Sequence, residues 1–113
     1  MLEKLEFQVD HTNLSSTPGW LYRTLWRTDH SEFRELIISI SNCSSVADLR
    51  AAMNGGGWGS VDGYLCVLAK FEPSFKVVFR VGLGGCSVGS LVGKHFSLAS
   101  SRGIVRIEHV PGL

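Results

Sequence analysis

Cys86 sits in the run Gly84-Gly85-Cys86-Ser87. A helix starting at Ser87 would set free amides and the positive end of its dipole near that thiol, which favours a thiolate. His95, downstream, is then a candidate base. The plainer reading is a small residue in a glycine-rich bend, since no nucleophile signature surrounds it. Cys43, between Asn42 and Ser44, precedes a second helix start, and the same argument applies; its plainer reading is a buried residue at a strand end. Cys66 lies between Leu65 and Val67 and is expected to be core packing. Three cysteines without a framework spacing point to reduced thiols and a cytoplasmic protein.

Histidine and acid chemistry has less support. Asp10-His11, Asp29-His30 and Glu108-His109 are neighbours in sequence. Neighbours on a strand point to opposite faces, so Glu108 and His109 should not pair. His109 shares parity with Val105 and Ile107 and is expected to face inward. It remains, with His95, a weak partner for a cysteine enzyme. No H-x-x-x-H or C-x-x-C spacing occurs, so no metal is expected. Gly89-Ser-Leu-Val-Gly93-Lys94-His95 has one residue too few between its glycines for a phosphate loop, and His95 stands where a magnesium-binding hydroxyl is needed. No cofactor is expected. The triplets at Asn13 and Asn42 match a glycosylation pattern by chance.

The richest binding chemistry lies in Trp20-Leu-Tyr22-Arg23-Thr-Leu-Trp26-Arg27. Aromatic residues and arginine carry most of the energy at protein interfaces. They also stack bases, with Arg34 adding charge. Read as a strand, the segment puts Trp20, Tyr22 and Trp26 on one face and Arg23 and Arg27 on the other. The aromatic face is then core or a docking surface. Trp58, alone in a glycine-rich stretch, is a second candidate anchor.

These residues must be positioned by the elements around them. Leu5, Phe7 and Val9 alternate with polar residues, the pattern of a half-buried strand. Strands over 20–27 and 33–41 joined by Thr28–Glu32 read as a hairpin. Ser45 as cap, Asp48 three residues on, and Val46, Leu49 and Met53 on one face predict a helix over 45–53, ended by Asn54-Gly55. Five glycines make 54–63 a loop. Residues 63–71 are apolar on both parities, which suggests a central strand. Phe75 to Leu83 is an amphipathic strand. Residues 87–96 fit a helix, or a strand over 91–98. Ile104–Val110 closes the chain as a strand.

The order β-β-β-α-β-β-(α or β)-β predicts a single α+β domain over 1–113, with a mainly antiparallel sheet and one short helix. A small β-barrel or sandwich with one helix is the alternative. Composition agrees with a globular chain: 44% hydrophobic, 19% charged, net charge +1. Near-neutral charge argues neither for nucleic acid nor for an acidic partner, and nucleic acid is not expected as the main partner. No run approaches the roughly 20 apolar residues of a membrane span. One helix cannot cover such a sheet, so we expect a homodimer. The expected function is a small non-catalytic binding or protein-interaction module, with a protein or small-molecule ligand. A small cysteine/histidine enzyme and a single-stranded nucleic-acid binder are the rivals.

Overall fold

The computed structural model describes residues 4–27, 34–42, 45–54, 57–82, 86–111 and 113. The order of elements is β1 (Lys4–Asp10), a 3-10 helix (His11–Ser16), α1 (Thr17–Arg27), β2 (Glu35–Ser41), α2 (Val46–Met53), α3 (Trp58–Phe71), β3 (Lys76–Val81), α4 (Cys86–His95), α5 (Ser97–Ser101) and β4 (Val105–His109). The four strands form one sheet in the order β1-β2-β3-β4, and every neighbouring pair is parallel.

This overturns the α+β, antiparallel expectation and its barrel or sandwich alternative. The fold is α/β, because parallel neighbours need a crossover and each crossover here is helical. The expected hairpin is absent: 20–27 belongs to α1, and Thr28–Phe33 lies outside the described residues. Residues 63–71 are the C-terminal part of α3, and 87–95 belongs to the helix α4. The helix at 45–53 is found as α2, with Ser45 Oγ accepting from the Asp48 amide at 3.2 Å.

Local chemistry explains the two misread helices. Pro18 in the first turn of α1 costs no internal hydrogen bond, and Thr17 Oγ1 donates to the Asn13 carbonyl at 3.0 Å. Leu21 and Leu25, one turn apart, form its buried stripe. In α3 the buried set is Trp58, Val61, Asp62, Leu65, Cys66 and Leu68, a helical spacing. Gly57 enters that helix at φ 90°, a left-handed geometry suited to glycine.

Strand order 1-2-3-4 has a consequence for the layers. Each crossover steps the same way, and parallel crossovers are right-handed, so every helix falls on one side of the sheet. The core agrees. Leu36, Ile38, Ile40, Val77, Phe79 and Val81 cluster with residues from all five helices, whereas Ile37 and Val78 do not join that cluster. Phe96 sits at its centre, 5.0 Å from the ring of Phe79 and 5.3 Å from that of Trp58. The order never reverses, so the sheet lacks the switch-point crevice where doubly wound folds hold ligands.

Candidate functional site

In a helix the aromatic and arginine residues of α1 are redistributed. Leu21 and Leu25 face the core, which turns Trp20, Tyr22, Arg23, Trp26 and Arg27 outward together. Arg23 and Arg27 lie one turn apart along the crest, between Trp20 on one flank and Tyr22 with Trp26 on the other. Strand-like alternation put the aromatics and arginines on opposite faces; the helix puts them on one.

The Tyr22–Trp26 flank meets α3. Tyr22 and Trp26 stack with ring centres 6.5 Å apart, and both contact Tyr64 at 5.7 and 5.8 Å. The Tyr64 hydroxyl donates to the Leu25 carbonyl at 3.4 Å, joining the two helices. Burial, and then the neighbouring Tyr22, push the Tyr64 phenol pKa up, so it stays neutral. A shallow hollow of about 400 Å³ opens among Tyr22, Trp26, Ser60, Tyr64 and Val67. Val67 and Phe71 continue the stripe one turn at a time. Trp26 is 67% exposed and Phe71 78%.

Trp20 takes the opposite flank. Its ring meets Phe7 of β1 edge-on at 5.2 Å. Arg34 lies apart from α1: its guanidinium is 3.8 Å from Glu72, just after α3. Hydrogen bonds from the Ser74 hydroxyl and amide hold the Glu72 carboxyl below its usual range, and Arg34 adds to this.

Trp58 is no surface anchor. It opens α3 and is buried against Phe96, with its indole N–H lacking a partner among the described residues. Its neighbour in space, Asp62, was not singled out by sequence. Its carboxylate accepts the Leu98 and Ala99 amides at 3.0 and 2.8 Å and so caps α5. Its position in an otherwise apolar helical stripe was the available signal.

The cysteine and histidine candidates do not converge. Cys43 lies outside the described residues. Cys86 is the first residue of α4 and His95 the last, so they are separated by about 13 Å of helical rise. Burial, then the adjacent Lys94, lower the His95 pKa, and its Nε2 is buried without a partner among the described residues. His109 lies opposite Val81 on the helix side of the sheet, but it is exposed at the end of β4 with Nε2 3.1 Å from the Gly82 carbonyl, so it is not a core histidine. Cys66 is buried, and burial followed by Asp62 raises its thiol pKa. Among the described residues no three His, Cys, Asp or Glu gather as a metal site, and no helix is long and apolar enough to cross a membrane.

No protein family, curated protein or solved structure matches this chain.

Proposed function

We propose that this chain is a non-catalytic interaction module whose α1–α3 face docks a protein partner bearing acidic and apolar side chains. The observation that carries the reading is one exposed surface built from Tyr22, Trp26, Tyr64, Val67 and Phe71, rimmed by Arg23 and Arg27. Rigid aromatics beside arginine are the composition of interface hot spots. The helix α1 has no acidic residue to neutralise its arginines, so a carboxylate-bearing partner complements them.

Single-stranded nucleic acid is the second reading, favoured by arginines and aromatics sharing one helix face. It is the weaker one. A strand-tracking groove needs cations along its length, and on α3 only Lys70 adds an exposed charge beside Ser60, Gly63, Tyr64, Val67 and Phe71.

Selection from a displayed peptide library tests the proposal, with anisotropy of the winning peptide as readout. Acidic peptides with apolar anchors should win. Their binding should weaken about tenfold or more in Trp26→Ala and in Arg23→Glu/Arg27→Glu, and stay unchanged in Arg106→Ala. Peptides indifferent to both α1 variants overturn the docking face. Tight binding of an oligothymidylate, lost in the same variants, replaces it with the nucleic-acid reading.

A further inference from the structure

We propose that the edge strand β1 pairs antiparallel with β1 of a second copy of this chain, about a two-fold axis through Phe7, making one continuous eight-stranded sheet. This surface is separate from the α1–α3 face, and neither proposal depends on the other. A homodimer expected because one helix leaves too much sheet bare loses that ground here, since five helices cover the inner face. The edge supplies a different ground.

Among the described residues β1 has a strand neighbour, β2, along one side only, so it is an edge strand of the sheet. The strand is seven residues long and contains no proline. Its sequence, Lys-Leu-Glu-Phe-Gln-Val-Asp, is self-complementary when reversed about Phe7. Lys4 then faces Asp10 of the second copy, Leu5 faces Val9, Glu6 faces Gln8, and Phe7 faces itself. Leu5, Phe7 and Val9 stay on the helix side in both copies, so the apolar layer runs on across the junction. The two nearest face-preserving registers are worse. Centring on Glu6 sets that carboxylate against its own copy, and centring on Gln8 sets Glu6 against Asp10; like charges directly opposite are destabilising. The Phe7 register is also the one that pairs all seven residues.

The flank of the strand adds apolar surface. A cleft of about 550 Å³ lies between β1 and α1, lined by Phe7, Val9, Asn13, Thr17 and Trp20 among others. Trp20 is 46% exposed while resting edge-on against Phe7. With Phe7 on the axis, two such pairs come together and bury that indole surface. A symmetric contact of this kind closes on itself and stops at two copies. The opposite edge, β4, is the rival, because centring on Ile107 sets Arg106 against Glu108. It is five residues long against seven, so it offers a shorter pairing.

Light scattering on eluting protein, over a hundredfold range of concentration, tests the pairing with three exposed-residue variants. Wild type should reach a mass near twice 12.4 kDa. Gln8→Lys places a cation opposite Glu6 twice per dimer and should tighten association about 2- to 30-fold, while Gln8→Glu should weaken it to a similar degree. Arg106→Glu should leave it unchanged. A monomer mass throughout in wild type and Gln8→Lys overturns the proposal. So does a dimer indifferent to both Gln8 variants, or one lost in Arg106→Glu, which would move the interface elsewhere or to β4.

Discussion

The two faces of the sheet solve the same problem in different ways. On the inner face Leu36, Ile38, Ile40, Val77, Phe79 and Val81 are covered by helices. On the outer face Ile37 and Val78 are 0% and 6% exposed, although they stand outside the cluster that the helices form with the inner face. Their strand neighbours are Glu6, Arg106 and, one pair along, Arg80. Lys4–Glu6, Lys4–Glu35, Arg80–Glu6, Arg80–Glu108 and Arg106–Glu108 ion pairs tie the long side chains down over the centre of that face. Aliphatic stems shield apolar surface while the charged heads stay in water. Apolar residues on both parities of β2 therefore do not demand a second protein layer.

The largest effect that separates the faces is truncation at their centres. Phe79→Ala removes a ring packed on Phe96 and should cost about 3–5 kcal/mol. Ile37→Ala lies under long charged side chains whose stems can close over the gap, and should cost less than about 2 kcal/mol. Denaturant melts of both variants decide it. Equal losses would mean that the outer face is packed as a core, and the contrast would fall.

That contrast also shows what was legible in the sequence. β1, β3, β4 and α2 are readable from alternation or from capping chemistry, because each sits in an environment of one kind: half-covered strand, or helix with a serine cap. Strand direction was not readable, since pairing is a property of the connections, and two connections were misassigned. α1 alternates aromatic and arginine residues because its exposed arc is broad, and that alternation imitates a strand. α3 hides its period behind Gly59, Gly63 and the buried Asp62. The two glycines looked like breaks, yet they sit on a helix whose packing outweighs their propensity. For the candidate site, sequence singled out residues of α1 but arranged them on a strand rather than a helix. It did not supply Tyr64, Val67 or Phe71, which join them only once both segments are helical and adjacent.

A middle-sized effect tests how tightly the inner layer is organised. Asp62→Ala strips the acceptor from the Leu98 and Ala99 amides and should cost about 1–3 kcal/mol. Asp62→Asn keeps a side-chain carbonyl and should recover part of the loss. Hydrogen exchange should locate the damage in 97–101, next to the intact sheet. Uniformly faster exchange through β2 and β3 at unchanged global stability would show that the cap holds the sheet rather than α5.

The smallest expected effect belongs to the outer face and is the most diagnostic of how that face works. Among the described residues Arg80 is the one that reaches both edges of the ion network, through Glu6 at 3.1 Å and Glu108 at 3.0 Å. Its pairs are part-exposed, so each is worth about 0.2–1 kcal/mol and is weakened by salt. Arg80→Ala removes both pairs and the stem that helps roof the centre of the face. Arg80→Met keeps most of the stem and removes the charge. If charge pairing matters, both variants should lose stability at low salt, and that part of the loss should fade near 1 M salt, where screening acts over about 3 Å. If the stem matters, Arg80→Ala should remain less stable than Arg80→Met at every salt concentration, because burial of apolar surface is not screened. The expected outcome is the second difference superimposed on a smaller first one. Two variants that match each other at high salt, and both match wild type, would show that the stem covers nothing and that Ile37 and Val78 owe their burial to the backbone around them.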